Sequence, residues 1–244
     1  MDALIIAAGY GSRLRNISES KPLTPVAGLP LLELGLRQAA AAGAARAVVV
    51  TGHQAETVEA ALPGLGERAG IPVIAQRVED WSKPNGFSVM AGAGRIAGDY
   101  LLMMADHIFS ASILKNLAEQ GASDRGVTLA IDRRIGSPLI DPEDATWVDT
   151  DAAGRIRAIG KTIADYDAVD CGAFLATAEL AAAIADAVAE GKSGSLSDGM
   201  QRLADRGRAA TMDVGEAWWL DVDDPRAHAL AEAEAPVQLS EIYG

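Results

Sequence analysis

Ala3-Leu4-Ile5-Ile6-Ala7-Ala8-Gly9-Tyr10-Gly11-Ser12-Arg13-Leu14 stands at the start of the chain, and its reading decides the fold. Ala3–Ala7 is a short apolar run ended by small residues and Gly9, which predicts a strand buried on both faces. Small residues at the carboxyl end of such a strand let backbone amides approach a phosphate without side-chain obstruction. Arg13 and the later Lys21 add charge that suits a triphosphate. Two better-known glycine loops do not fit. A dinucleotide fingerprint needs Gly where Leu14 stands and an acid where the second strand ends in Thr51-Gly52. A nucleoside-triphosphatase loop needs Gly-Lys-Ser/Thr, and Lys21 is followed by Pro22. Taken alone, the loop is about equally compatible with phosphate binding and with a plain tight turn.

Outward from this loop the pattern alternates strand and helix. Residues 9–30, with Gly9, Gly11, Pro22, Pro25, Gly28 and Pro30, predict a long loop holding one helical turn. Leu31–Ala42 reads as a helix stopped by Gly43, and Ala47–Thr51 as a buried strand. Ala55–Leu62 reads as a short helix closed by Pro63. Val73–Gln76, Phe87–Ile96 and Tyr100–Met104 continue as strand, helix and strand. Four such units imply a mostly parallel sheet with helices on both faces. Further on, Val127–Asp132 reads as a strand, while Ala145–Val148 and Arg155–Ile159 flank Asp149–Gly154 as a hairpin. Gly172–Ala176 and Thr211–Val214 read as strands, and Ala178–Ala189, Leu196–Arg206 and Pro225–Glu234 as helices. The sequence therefore predicts a single α/β domain over residues 1–244, with a mixed, mostly parallel sheet and an antiparallel insertion at roughly 133–170.

Composition narrows the partners. In 244 residues, 34 Asp and Glu against 21 Lys and Arg leave a net charge of −13, with 49% hydrophobic residues. That balance argues against nucleic acid and against an anionic membrane surface. A single cysteine, Cys171, rules out an internal disulfide and a Cys-rich zinc site, which suits a reducing, cytoplasmic setting. No run approaches the roughly 20 apolar residues of a membrane helix, so no membrane insertion is expected.

Two strand-end acids stand out. Asp106 closes Leu101–Ala105, where an open sheet places its ligands. A carboxylate there serves as a metal ligand or caps the next helix, and capping is the more frequent role. Asp221 and Asp223 lie two apart, on one side of an extended segment. Hard carboxylate oxygens suit Mg²⁺. Asp224, and by the same reading Asp223, begin the last helix.

With the residues that follow it, LIIAAGYGSRLRNISESKPLTPVAG (residues 4–28) resembles the signature of nucleotidyltransferases that join a nucleoside triphosphate to a phosphorylated alcohol or sugar. That pattern is a strand, Ala-Ala-Gly-x-Gly-Ser/Thr-Arg-Leu, a Lys-Pro-Leu-type element and Pro-Val-x-Gly. The resemblance implies their α/β fold, which is Rossmann-like and similar to glycosyltransferase A, and a Mg²⁺ cofactor. Met104–Ser110 (MADHIFS) is similar to the Gly-Asp-His-x-Phe/Tyr-Ser stretch of inositol-1-phosphate cytidylyltransferases. Lys83–Ser88 (KPNGFS) resembles their Lys-Gly-Asn-Gly-Tyr-Ser, with Pro84 in place of Gly. Ile159–Lys161, Asp167–Gly172 and Trp219–Asp223 match in the same order, so the resemblance runs from Leu4 to Asp223.

The resemblance implies a set of site residues. Ala7, Ala8, Gly9, Gly11, Ser12, Gln76, Asn85, Gly86 and Ser88 would hold the nucleotide together with Arg13, Lys21 and Asp106. Arg13, Lys21 and Asp106 would be catalytic, and Asp106 and Asp221 would bind the metal. His107, Lys161, Asp170 and Gly172 would face the acceptor. Lys161 and Asp170 also read simply as solvated charges at a hairpin edge, and His107 as a hydrogen-bonded core residue. The activity implied is transfer from CTP to inositol-1-phosphate, giving CDP-inositol and pyrophosphate, with both substrates small molecules and the product used by a separate membrane synthase. Two other functions remain open at this stage. One is a nucleotidyltransferase using UTP, GTP or CTP with a sugar-1-phosphate or another phospho-alcohol. The other is a non-catalytic nucleotide-sensing subunit. Whether the chain forms a homo-oligomer is left open as well.

Overall fold

The opening apolar run forms β1 (Asp2–Ala7) in the interior of a nine-stranded sheet. A computed structural model describes residues 1–121 and 125–243. After β1 come two short 3-10 turns at Ser12–Leu14 and Lys21–Leu23, then the two-residue strands β2 (Pro25–Val26) and β3 (Leu29–Pro30). The first half continues with α1 (Leu31–Ala41), β4 (Ala47–Thr51), α2 (Ala55–Ala69), β5 (Val73–Arg77), α3 (Asn85–Ala93) and β6 (Tyr100–Met104). Next are β7 (His107–Phe109), α4 (Ala111–Gln120), β8 (Val127–Asp132), β9 (Trp147–Thr150), β10 (Ile156–Gly160) and β11 (Ala168–Ala176). The chain closes with α5 (Ala178–Ala189), α6 (Leu196–Asp205), β12 (Ala209–Asp213), β13 (Trp219–Asp221), α7 (Pro225–Gln238) and α8 (Ser240–Tyr243).

Strands β6, β1, β4 and β5 run parallel in that order. β11 joins β6 antiparallel and also pairs with β8 and β9, while β12 lies parallel to β8. The sheet is therefore mixed, and its antiparallel part includes the β9–β10 hairpin inside the expected insertion. Alternation along β1 divides the core: Ala3, Ile5 and Ala7 face α1 and α2, whereas Leu4 faces the side of α3, α5 and α6. Each fully buried Leu or Ile contributes about 1.5–3 kcal/mol, so this two-sided burial is what holds β1 in place. A third apolar cluster joins Leu14, Leu31, Ile108 and Leu220 to Ala231 and Ala235 of α7, and so anchors the glycine loop against the carboxyl-terminal segment.

Several boundaries differ from the sequence reading. The helix expected to stop at Pro63 runs on to Ala69 and ends on Gly70 at φ +69°. Val58, Leu62 and Leu65 are all buried on one face, and that burial offsets the hydrogen bond Pro63 cannot donate. β11 begins at Ala168, four residues before the expected Gly172, and α3 begins at Asn85. Helix α4 and the small β7–β13 ribbon were not anticipated. Among the described residues, no helix is long and apolar enough to cross a membrane.

Candidate active site

The site lies at the carboxyl edge of β1 and β6. Gly11 adopts φ +60°, and a Cβ there would sit 2.8 Å from Lys21 Cδ and closer still to Lys21 Cβ. Glycine thus serves twice, supplying the left-handed turn and admitting the Lys21 stem against the loop. Lys21, at the head of its own 3-10 turn, directs Nζ at Asp106 Oδ2 (2.5 Å) and at Asp223 Oδ1. Arg13 pairs with Asp144 (2.5 Å) and with Asp223. The two cations expected to hold phosphates are therefore occupied by carboxylates.

Asp106 and Asp221, far apart in sequence, meet because β7 and β13 pair antiparallel, with His107 opposite Asp221 and Phe109 opposite Trp219. Backbone bonds from Val222 N–H to the Asp106 carbonyl (2.9 Å) and from Ala105 N–H to the Ile6 carbonyl (3.0 Å) lock the turn to the sheet. His107 Nδ1 lies 2.9 Å from Asp106 Oδ1 and 3.7 Å from Asp221 Oδ1. The His107 ring lies nearly parallel to Trp219, whose indole N–H donates to buried Asp132 at 2.8 Å. Gly172 sits behind His107 at φ +74°, and a Cβ there would fall 2.7 Å from His107 Cγ and 2.8 Å from Nε2.

Charge follows from these contacts. Burial pushes the Asp106 carboxyl upward, but Lys21 and His107 outweigh it and hold it well below the ordinary range. Burial lowers His107, yet Asp221, Asp106 and Asp170 raise it to about 9. Asp170 is raised by burial to about 6, in spite of a 2.7 Å bond accepted from Gly172 N–H. Burial also raises Asp221, whose Oδ1 is buried without a hydrogen-bond partner. Ligand atoms of Asp106, His107 and Asp221 lie within 4.8 Å of one another, as do those of Asp144, Asp221 and Asp223. An unpartnered carboxylate oxygen beside a second carboxylate suits a hard divalent cation.

Two cavities flank this cluster. The smaller, about 240 Å³, is lined by Ala7, Gly9, Gly11, Ser12, Lys21 and neighbours. The larger, about 280 Å³, holds His107, Lys161, Asp170, Gly172 and Asp221, with Met104, Phe174 and Met200 as an apolar wall. Arg13, Asp106 and Asp223 line both.

The structure brings most of the expected residues together and sets some apart. Asn85 lines the larger cavity, and its Oδ1 accepts from Leu196 N–H (2.8 Å) at the start of α6. Ala8 and Ser88 are buried. A Cβ on Gly86 would lie 2.9 Å from Ile184 Cγ2 and closer to the Gly194 carbonyl, so this glycine is needed for packing. Gln76 stands on β5, where its amide donates to the Arg77 carbonyl (3.0 Å). Asp223, read as a helix start, is corrected: Asp224 is the cap, accepting from Ala227 N–H at 2.7 Å, and Asp223 turns to Arg13 and Lys21. Asp144 was missed. It lies between β8 and β9 and pairs with Lys161 as well as Arg13. Nothing local in the sequence marks it, since its partners are distant.

Comparison with known proteins gives the family and the fold. The profile of the MobA-like NTP transferase domain matches residues 3–202. A protein named "Bifunctional IPC transferase and DIPP synthase" from Rubrobacter xylanophilus is 34% identical over 94% of this chain and 51% of its own length. Its namesake in Aquifex aeolicus is 33% identical over 91% of the chain and 49% of its own length. The chain thus spans about half the length of these relatives. A CMP-5'-(3-aminopropyl)phosphonate synthase of Streptomyces rubellomurinus is 33% identical over 91% of the chain and 37% of its own length. The fold matches that of the inositol-1-phosphate CTP transferase of T. maritima with a TM-score of 0.79, at 24% identity, covering 98% and 97% of the two chains.

Proposed function

The chain belongs to the MobA-like NTP transferase family, and on that premise we propose that it joins CTP to inositol-1-phosphate, giving CDP-inositol and pyrophosphate. The observation that carries this reading is the wall of Arg13, Asp106 and Asp223 shared by the two cavities. A triphosphate seated over the glycine loop and a phosphomonoester in the larger cavity would meet at that wall.

The acceptor's phosphate oxygen attacks the α-phosphorus, the bond to the β-phosphate breaks, and its electrons leave with pyrophosphate. A phosphomonoester has its second pKa at about 6 and is already ionised near neutral pH, so no general base is needed. The chain's residues act by holding two mutually repelling anions in line. Arg13 bridges the two cavities, and Lys21 neutralises the departing pyrophosphate. Lys161 faces the acceptor's phosphate, while Asp170 and Asp221 offer carboxylate oxygens to its hydroxyls. Without a metal, the His107 imidazole, which burial lowers but Asp221, Asp106 and Asp170 raise to about 9, offsets the repulsion between Asp106 and Asp221. Mg²⁺ would be held by Asp106 and Asp221, and when bound it supplies charge neutralisation on the phosphates.

One observation favours a second acceptor class. Asp141, Asp144, Asp170, Asp221 and Asp224 line the larger cavity alongside apolar Leu139 and Met200, a combination that suits an ammonium on a short alkyl chain. An aminoalkyl phosphonate is therefore the second candidate. The non-catalytic sensing alternative finds no support, since the relatives named above are transferases or synthases. Pyrophosphate release, measured for four nucleoside triphosphates against inositol-1-phosphate, sugar-1-phosphates and 3-aminopropylphosphonate, tests the assignment. CTP with inositol-1-phosphate should give the highest kcat/KM. A sugar-1-phosphate preferred by more than tenfold would overturn it.

A further inference from the structure

Among the described residues, Asp144 is the carboxylate that ties the glycine loop to the acceptor hairpin. Its two oxygens are divided between Arg13 (2.5 Å to Oδ2) and Lys161 (to Oδ1). Lys161 follows directly on β10, and Arg13 lies in the 3-10 turn after Gly11, so nothing local brings these cations together. A carboxylate bridging two cations offers one oxygen to each, as an ionised phosphomonoester can with two of its three oxygens, and carries the smaller negative charge. Arg13 is also shared with Asp223, which in turn bridges to Lys21. The site thus holds two bridging carboxylates that meet at Arg13, one on the nucleotide side and one on the acceptor side.

We propose that Asp144 is an internal stand-in for the acceptor's phosphate, and that nucleotide binding at Arg13 must loosen it before the acceptor can bind. The inference rests on the nucleotidyltransferase reading above. With Arg13 free of phosphate, both Asp144 oxygens are partnered, and the loop between β8 and β9 is held across the larger cavity. A triphosphate over the glycine loop competes for Arg13 and leaves Asp144 with Lys161 alone. That lysine side chain is 57% exposed, and a single exposed ion pair is weak. An incoming phosphomonoester can then displace the carboxylate. Binding order follows: nucleotide first, acceptor second. By linkage, each substrate strengthens the other's binding.

The test uses inorganic phosphate as probe, so a wrong choice of acceptor under the proposed function would leave its result intact. Phosphate binding is measured by calorimetry with Mg²⁺ present, with and without CTP, on the wild type, Asp144→Asn and Glu143→Gln. Glu143 is exposed one residue before Asp144 and lines neither cavity, so it controls for a general change in field. In the wild type, CTP should tighten phosphate binding by about tenfold or more, the usual size of a coupling between sites. Asp144→Asn should bind phosphate about tenfold more tightly without CTP and lose the CTP dependence, whereas Glu143→Gln should stay within about twofold of wild type. Equal gains in both variants, or unchanged or weaker phosphate binding in Asp144→Asn, would overturn the proposal. A thermal melt of Asp144→Asn within a few degrees of wild type confirms that the comparison is between folded proteins.

Discussion

Gly172→Ala offers the sharpest test of how the site is held, because two separable costs fall on one methyl group. The backbone at Gly172 has φ +74°, where a residue with Cβ costs about 1–2 kcal/mol. The added Cβ would also stand 2.7 Å from His107 Cγ, so the ring has to move by roughly 1 Å to reach ordinary contact. His107 has little room, since it lies beside Trp219 and bonds Asp106 at 2.9 Å. Overpacking of this kind costs about 1–3 kcal/mol more. The sum of about 2–5 kcal/mol corresponds to a fall in Tm of roughly 5–15 °C for a chain of this size. A shift of the ring also turns Asp106 away from Asp221, and a misplacement of about 1 Å can cost about 100-fold in rate. The control is Gly154→Ala: its φ is +72°, but its Cβ would meet only Thr211 Oγ1 at 3.6 Å. That variant should lose about 1 kcal/mol and keep its activity. Thermal melts and pyrophosphate release on both variants separate the two costs, and Gly172→Ala combined with His107→Ala should recover part of the stability. The reasoning fails if Gly172→Ala melts within 2 °C of wild type with full turnover, or if both glycine variants lose activity alike.

Asp106→Asn should nearly abolish turnover while the protein stays folded, as read by pyrophosphate release and circular dichroism; full activity would remove Asp106 from the metal site. Asp170→Asn tests the raised carboxyl. Its folded pKa of about 6 exceeds the roughly 3.9 of an unfolded chain, so the ionised form opposes folding. That opposition is complete above pH 6 and gone below about pH 4, and its full size is at most about 3 kcal/mol. The variant should therefore melt higher than wild type at pH 7.5, keep only about a third of this advantage at pH 4.5, and show a raised acceptor KM. Chelation of divalent metal should weaken CTP binding by at least tenfold, because Arg13 and Lys21 are already engaged by carboxylates. Tight metal-free binding would contradict that account.

What the sequence revealed and what it hid divide along contact distance. The β1 strand, the glycine loop and the strand ending at Asp106 are legible because a short apolar run, a glycine pair and a terminal acid are local signals. The continuation of α2 beyond Pro63 was not, since a proline normally ends such a pattern and only the burial of Leu65 against the core shows otherwise. β7 and β13 are each three residues long and exist because they pair with each other across more than a hundred residues. The pairing also explains why the residues around Asp221 show it spaced two from Asp223 but do not show that it meets Asp106. Asp144 lacks any local mark, and Asp223 is marked locally only by its spacing from Asp221 and its place before the last helix; their roles come from cations that tertiary structure delivers.

The net charge of −13 first argues against polyanionic partners, yet both proposed substrates are anions. The site does not resolve this by being basic. Arg13, Lys21 and Lys161 face Asp106, Asp144, Asp170, Asp221 and Asp223 around the two cavities. With Arg13, Lys21 and Lys161 already paired with carboxylates, an entering phosphate gains from each of them only the difference between its own bond and the carboxylate bond it replaces. Affinity for either substrate alone is consequently modest. It rises when a divalent cation engages the displaced carboxylates and when the second substrate occupies the cation the first has freed. Under the proposed function, a site arranged this way would resist capture by free phosphate or pyrophosphate and assemble its full positive complement only with metal, nucleotide and acceptor together. The acid excess would then favour the ternary complex, acting through Asp144 and Asp223.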